Sequence, residues 1–277
     1  MMSMCRRSCA AEVSICLPLR DKPAAAGGRC GLAGNSFGDT GHVNVRIRRV
    51  TTTRAGGVSK PPFDTFNLGD HVGDDPAAVA ENRARLAAAV GLRPGRVVWM
   101  NQVHGDRVEV VDGPQGAAVE DADALVTRTA RLALAVVTAD CVPVLMADAR
   151  AGVAAAVHAG RVGAQRGVVA RTVEAMLELG AQPDDISALL GPAVSGHNYE
   201  VPAAMADEVE AALPGSRTTT AAGTPGLDLR AGIACQLKDL GVTAIDIDPR
   251  CTVADPALFS HRRDAPTGRL ASMVWME

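Results

Sequence analysis

Short apolar segments of strand length, closed by turn-forming residues, dominate the chain from residue 45 onward. Three of them, at 132–138, 143–147 and 153–157, follow one another with only a few residues in between. Segments of this length are typical of buried β-strands and fall far short of the roughly 20 apolar residues that a membrane-spanning helix needs. The pattern therefore predicts a protein built around β-strands, with no membrane partner.

Helical signals separate the predicted strands. At Asp75-Pro76 an N-cap residue precedes a proline at the first helical position, and Gly91 ends the apolar periodicity that follows. The remaining predicted helices are 163–179, 202–213 and 228–240, and the remaining predicted strands are 45–50, 96–100, 107–111, 186–190, 242–247 and 269–275. No repeat period and no break in composition divides this part of the chain. We therefore predict one mixed α/β (α+β) domain over residues 45–277.

Residues 1–44 differ in character from the rest of the chain. They contain four of the seven cysteines and carry five basic against three acidic side chains. Their best candidate for a signal sequence, 10–19, is interrupted by Glu12 and has no convincing cleavage site after it, which argues against secretion. We interpret 1–44 as an N-terminal extension, either flexible or an artefact of the assigned start, with a targeting or redox-sensing tail as the alternative.

Composition excludes several classes of function. Lys and Arg number 28 against 31 Asp and Glu, a formal charge of −3, and aromatic residues make up only 3%. A nucleic-acid partner is therefore not expected, because both the basic surface and the stacking side chains are missing. The seven cysteines are odd in number and form no CxxC pair, which argues against a disulfide framework and favours reduced thiols in a cytoplasmic protein.

Three segments place a His or Cys at or just after the end of a strand-like run. The candidate residues are His104, Cys141 and His158, and Gly or Pro follows each of them within two residues. Two imidazoles and one thiolate suit zinc, and three protein ligands leave a position open for water or substrate, as in catalytic zinc sites. Two other interpretations stay open: a Cys141 nucleophile with one of the histidines as its base, or ordinary polar strand ends.

Other catalytic signatures are missing from the sequence. Neither a Gly-rich dinucleotide loop nor a P-loop is present, and no GxSxG motif offers a hydrolase serine. His71, in a loop rich in Gly and Asp, could line a pocket. A guanidinium group matches phosphate oxygens, so several arginines are candidates for binding an anion: Arg54, Arg161, Arg166, Arg262, Arg263 and Arg269.

The motifs taken together resemble the laccase-domain family, formerly called multicopper polyphenol oxidases. The resemblance runs in order from about residue 45 to the C-terminus and covers about 230 of the 277 residues. It rests on these segments: 51–59, 67–74, 101–105, 122–127, 138–143, 158–160, 191–192, 260–264 and 267–269.

This resemblance implies a zinc-dependent purine nucleoside phosphorylase with adenosine deaminase activity. The expected substrates are phosphate with adenosine or inosine, and guanosine and methylthioadenosine are further candidates. The resemblance places the zinc ligands on His104, Cys141 and His158. It also implies a single domain with two β-sheets sandwiched between helices, similar to the catalytic domain of cytotoxic necrotising factor toxins.

The resemblance also suggests which residues bind the substrates. We expect Arg54, Arg161 or Arg263 to hold phosphate or ribose oxygens, and Gln102 or Asn67 to orient the nucleoside. Asp140, which precedes Cys141, could support the metal ligand or carry a proton.

The chain departs from the family pattern at one point. Where the family commonly has His-Ala-Gly-Trp-Arg-Gly, this chain has Arg161 and Val162 in place of Trp and Arg. A change in substrate preference would follow if the Trp packs a substrate ring.

Two other functions remain as alternatives. One is a copper-dependent phenol oxidase, which we disfavour because the chain has only six histidines. The other is a non-catalytic role in cell-wall precursor quality control, in which the zinc would be purely structural.

Overall fold

Two large β-sheets form the centre of the protein. The computed structural model describes residues 15–16 and 45–277. Within them the strands are β1 Ile15–Cys16, β2 Ile47–Thr52, β3 Val97–Val98, β4 Val108–Val110, β5 Ala124–Thr127, β6 Ala133–Thr138, β7 Val142–Asp148, β8 Val153–Ala159, β9 Ile186–Leu190, β10 Arg217–Thr219, β11 Pro225–Leu227, β12 Ala244–Ile247 and β13 Leu270–Met276. The first sheet has the order β1-β2-β13-β6-β3, and the second has the order β12-β9-β7-β8-β5-β4. A separate hairpin pairs β10 with β11.

Helices cover the outer faces of both sheets. Their bounds are α1 Pro76–Ala89, α2 Arg161–Gln165, α3 Val168–Glu178, α4 Ala203–Ala212, α5 Leu229–Asp239 and α6 His261–Asp264. Leu86 of α1 packs with Trp275 on the outer face of the first sheet. Val173 of α3 and Ile233 of α5 pack with Val144 on the outer face of the second sheet. No helix in the part of the chain described here is long and apolar enough to cross a membrane.

The inner faces of the two sheets pack directly against each other. Successive side chains of a strand point to opposite faces, so one strand can contribute to two layers. In β7, Val144 and Met146 face the helices, whereas Leu145 lies in the inter-sheet core with Val136 of β6 and Ala156 of β8. The predicted fold class, a mixed α/β domain with two sheets sandwiched between helices, is confirmed.

The structure corrects several predicted element boundaries. The helix predicted over 163–179 is two helices, because Gly167 adopts the left-handed conformation at φ 86° between them. The strand predicted over 96–100 contracts to β3, which follows a short 3₁₀ turn. Strand β8 continues to Ala159, so His158 lies inside the strand rather than after it.

Four strands escaped the sequence patterns: β1 within the predicted extension, β5, and both strands of the β10–β11 hairpin. The fully buried β5, Ala124–Thr127, is only four residues long and has no alternation that would reveal it. The two strands of the β10–β11 hairpin are also short, at three residues each.

The predicted extension falls mostly outside the described residues. Of residues 1–44, only Ile15–Cys16 is described, where β1 pairs with Thr51 and Thr52 of β2. The interpretation of 1–44 as an extension and of 45–277 as the domain remains a prediction.

The inter-sheet core predicts a strong dependence on Leu145. This side chain is fully buried, so Leu145→Ala should lower the free energy of unfolding by about 2–5 kcal/mol in chemical denaturation. The matched change on the exposed face of α3, Leu177→Ala, should alter it by less than about 1 kcal/mol. Equal losses in the two variants would contradict the layer assignment.

Candidate metal centre

Two loops that pass from one sheet to the other bring the candidate ligands together. The loop from β3 to β4 carries His104, and the loop from β6 to β7 carries Cys141. His158 is the last inward-facing residue of β8, after Ala154 and Ala156. Because both loops cross at the same end of the sandwich, the three side chains meet at the mouth of the gap between the sheets.

The three ligand atoms are close enough to share one metal ion. They all lie within 4.8 Å of one another, and Cys141 Sγ is 3.8 Å from His104 Nε2. Zinc bonds to nitrogen and sulfur are about 2.0–2.3 Å long, so two ligands of one ion are at most about 4.6 Å apart. Small side-chain rotations would therefore bring the trio onto a single ion. The donor set fits zinc, with an open fourth position.

Asp123 connects two of the three candidate ligands. Its carboxylate is fully buried and accepts a hydrogen bond from His158 Nδ1 at 2.7 Å. Its two oxygens also accept the backbone N–H groups of Val103, His104 and Gly105 at 3.2, 3.0 and 2.7 Å. With the proton held on Nδ1, His158 presents the lone pair of Nε2 to a metal.

The same carboxylate stabilises an unusual backbone conformation at His104. This residue has φ 59°, in the left-handed region that few residues other than Gly adopt. Three successive N–H groups around it point at Asp123, and such a concave run of donors binds an anion. Here the anion is the Asp123 carboxylate, which also binds His158. It therefore holds the backbone of His104 in a fixed position relative to His158.

Gly160 lets the next helix approach the trio closely. A Cβ at this position would lie 2.8 Å from His104 Cδ2 and 3.2 Å from Cys141 Sγ. One turn later, a Cβ at Gly163 would lie 2.5 Å from the carbonyl oxygen of Gly105. Only glycine fits at these two positions of the His-Ala-Gly segment and α2.

Electrostatics within the trio favour a thiolate. Burial raises the pKa of the Cys141 thiol, but the positive charge of His158 and a hydrogen bond with His104 outweigh it and lower the pKa to about 6. Burial lowers the pKa of His158, but Cys141 and Asp123 outweigh it and raise the pKa to about 9. A thiolate is the form of cysteine that binds metals and also the form that acts as a nucleophile.

Asp140 holds the C-terminal segment against the cysteine loop. It adopts φ 91°, and its carboxylate accepts Thr252 Oγ1 at 2.6 Å and Ser260 Oγ at 2.7 Å. The backbone N–H of Arg262 donates to its second oxygen at 2.7 Å. These contacts place α6 at the edge of the site.

A cavity of about 290 Å³ opens over the trio. This volume is at the lower end of the range for small-molecule sites. Asp140 is the single carboxylate that lines it among the described residues. Basic and aromatic side chains dominate the rest of its polar lining: His71, Arg161, Tyr199, His261, Arg262 and Arg269.

Comparison with known proteins identifies the family. The family model described as multi-copper polyphenol oxidoreductase laccase matches residues 48–277. This chain belongs to that laccase family. The resemblance seen in the sequence motifs is thereby confirmed.

Similar members of the laccase family are named for one activity. A Mycobacterium tuberculosis protein named purine nucleoside phosphorylase is 85% identical over 240 residues, which are 87% of this chain and 96% of the relative. A Corynebacterium glutamicum protein of the same name is 60% identical over 235 residues, covering 84% of this chain and 96% of the relative.

Solved structures of similar proteins share the fold. YlmD from Geobacillus stearothermophilus is 33% identical, with a TM-score of 0.79 over 86% of this chain and 93% of that one. A Neisseria meningitidis protein is 37% identical, with a TM-score of 0.75 over 85% and 95% of the two chains.

Two of the five substrate residues expected from the laccase-family motifs line the cavity. They are Gln102 and Arg161. Both ends of the Gln102 amide are bound to the backbone of Val137: Nε2 donates to its carbonyl, and Oε1 accepts its N–H, each at 2.8 Å. Gln102 therefore forms a rigid part of the cavity wall, whereas the Arg161 guanidinium group contacts Tyr199 and forms no ion pair within the described residues.

The other three expected residues do not line the cavity. Arg54 forms ion pairs with Asp64 and Asp264, at 3.4 and 3.9 Å. Asn67 is fully buried, and its Oδ1 accepts the N–H groups of Gly69 and Arg269.

Arg263 is held in the same way, because its guanidinium group donates to four backbone carbonyls: those of Thr252, Val253, Asp255 and Leu258. We therefore expect Arg54, Asn67 and Arg263 to support the loops around the cavity. The sequence carries no signal that separates such arginines from those that face a ligand, because the distinction depends on how the surrounding loops fold.

Removing the charge of Asp123 should weaken the metal centre of this laccase-family protein. In Asp123→Asn an NH₂ group replaces one acceptor oxygen, so part of the contacts to His158 and the His104 loop is lost. We expect zinc affinity to fall about 10–100-fold in competition with a chelating dye. The free energy of unfolding should fall by about 3 kcal/mol.

The matched control is Asp106→Asn, which removes a surface ion pair with Arg171. It should cost less than about 1 kcal/mol and leave zinc affinity unchanged. Unchanged zinc affinity in Asp123→Asn would refute the proposed positioning by this carboxylate.

A single methyl group at residue 160 should also disturb the centre. Gly160→Ala forces the new Cβ against His104 and Cys141, so we expect zinc affinity to fall by about tenfold or more. Gly95→Ala adds the same methyl group where no heavy atom lies within 4 Å and should bind zinc normally. Metal content measured after dialysis distinguishes the two, and full loading of Gly160→Ala would argue against the close packing.

Proposed function

We propose that this protein is a zinc-dependent purine nucleoside phosphorylase with adenosine deaminase activity. Adenosine and inosine are the proposed nucleosides, with guanosine and methylthioadenosine as further candidates. The observation that carries the proposal is that one cavity joins the metal-binding trio to three arginines whose guanidinium groups form no ion pair within the described residues. The names of the similar proteins support the phosphorylase part of the proposal.

The charge of the cavity suits phosphate. Arg161, Arg262 and Arg269 all line it, and within residues 15–16 and 45–277 none of them forms an ion pair. The single carboxylate of the lining, Asp140, is already bonded to Thr252, Ser260 and Arg262 N–H. An anion supplied from outside would therefore balance the guanidinium groups and accept their hydrogen bonds.

The remaining lining suits a purine nucleoside. Tyr199 is the only tyrosine of the chain, and the guanidinium carbon of Arg262 lies 4.8 Å from the centroid of its ring. The apolar part of the cavity lining consists of Val137, Val194 and Leu229. An aromatic face with apolar neighbours is the surface against which a flat heterocycle packs.

Phosphorolysis exchanges one bond at the sugar for another. A phosphate oxygen forms a bond to C1′, the C1′–N9 bond breaks, and its electron pair leaves with the purine, which takes up one proton. The arginines hold phosphate and stabilise its charge, and the apolar wall excludes water from C1′. His104, Cys141 and His158 would hold the zinc ion, which when bound supplies Lewis acidity at this end of the cavity.

The alternative functions fit the site less well. Two His and one Cys also suit copper, and the family description names copper oxidoreductases. A multicopper oxidase needs further histidine clusters, however, and the described residues hold one metal-ligand group, the trio. A purely structural zinc would be four-coordinate and closed, whereas this trio opens onto the cavity. A cytoplasmic location remains a prediction from the cysteine pattern.

The proposal is tested by product analysis. Zinc-loaded protein incubated with adenosine and phosphate should yield adenine and ribose-1-phosphate, and inosine should form with or without phosphate. His104→Ala removes a ligand and should abolish both reactions, whereas the exposed His197→Ala should retain them. A stoichiometric zinc content without any turnover would reject the phosphorylase and deaminase assignments.

A further inference from the structure

Thr138 carries a buried hydroxyl group with no hydrogen-bond partner in the protein. Its side chain is 2% exposed, lines the cavity, and its Oγ1 has no donor or acceptor within reach among the described residues. An unpaired buried hydroxyl costs free energy, because it loses its bonds to water without replacement. The group is therefore a candidate for pairing with a bound ligand.

The position of Thr138 in its strand directs this hydroxyl toward the trio. Leu134 and Val136 of β6 face the inter-sheet core, and by strand alternation Thr138 continues that row. In the second sheet, His158 continues the row of Ala154 and Ala156 in the same way. Two apolar rows that face each other across the gap thus both end in a polar side chain at the cavity.

Arg269 lies immediately before β13, the strand that neighbours β6, and lines the same cavity as Thr138. Leu270 pairs with Thr138 in the antiparallel ladder, and Arg269 directly precedes it. Nη1 of Arg269 donates to the carbonyls of Thr267 and Gly268, which fixes the guanidinium group in place. Its Nε and Nη2 have no acceptor among the described residues, and the side chain lines the cavity.

We infer that Thr138 and Arg269 form the oxyanion subsite of the cavity, which binds inorganic phosphate. This inference rests on the proposed phosphorylase function and assigns residues to its second substrate. A fixed guanidinium fork and a hydroxyl donor in the wall of one cavity match two oxygens of a phosphate group. Phosphate held here lies in the same cavity as the trio.

The test is the isosteric variant Thr138→Val, studied as the zinc-loaded full chain. We expect the KM for phosphate to rise about tenfold or more, because one hydrogen bond to a charged ligand is lost. The KM for adenosine should change by less than about twofold. Thr138→Ser keeps the hydroxyl and should stay near the wild type, whereas Arg269→Lys loses the fork and should also raise the KM for phosphate.

Thermal unfolding without phosphate separates this role from a structural one. Because the hydroxyl is unpaired, Thr138→Val should unfold at the same or a higher temperature than the wild type. The matched control is Thr172→Val in α3, whose hydroxyl donates to Val168 at 2.7 Å. That variant should unfold at a lower temperature and keep the wild-type KM for phosphate.

Two kinetic results and one binding result would overturn the inference. A rise in the KM for adenosine alone would assign Thr138 to the nucleoside, and unchanged KM values would remove it from binding altogether, with the proposed function intact in both cases. If the wild type cleaves no nucleoside, the proposed function fails. Calorimetric titration of the wild type and Thr138→Val with inorganic phosphate then tests the subsite by itself. Binding that weakens about tenfold in Thr138→Val supports the subsite, and absent or equal binding rejects it.

Discussion

The carboxylate of Asp123 is the interaction on which the geometry of the site depends. It is a single buried anion that accepts four hydrogen bonds, one from a ring nitrogen of His158 and three from the backbone around His104. A buried charge is tolerated only when its acceptor positions are filled, so the loop cannot relax without leaving this charge unpaired. The left-handed backbone at His104 and the tautomer of His158 are thus determined together, by one side chain that never contacts the cavity.

The sheet topology determines where this anion can act. Two connections that carry His104 and Cys141 pass from the first sheet to the second at the same end of the sandwich, and Gly160 lets α2 close over them. These residues are far apart in the sequence, but the crossing loops bring their side chains next to each other. A sandwich whose faces are both covered by helices leaves its interior accessible only at such an end, and the cavity lies there.

Much of the fold and of the trio could be predicted from the sequence, because both depend on local patterns. Buried runs such as 133–138 predict strands, and His104, Cys141 and His158 each lie near the end of one. The short strand at 124–127 could not be predicted in this way, since four apolar residues fit a strand or a turn equally well. The substrate residues were harder to predict. Arg54 and Arg263 are bonded to acceptors in the loops that fold around them, whereas Arg262 and Arg269 face the cavity, and composition around them is similar.

The site concentrates features that cost stability elsewhere in a protein. His104 and Asp140 adopt left-handed backbone conformations without being glycine, and Thr138 buries an unpaired hydroxyl. Around them the apolar rows of β6 and β8 are completely buried and regular. Along both strands the inward-facing side chains are therefore apolar, and a polar side chain replaces them only at the end that borders the cavity. Among these groups the Thr138 hydroxyl alone has no partner within the described residues, so its partner is expected among the molecules that enter the cavity.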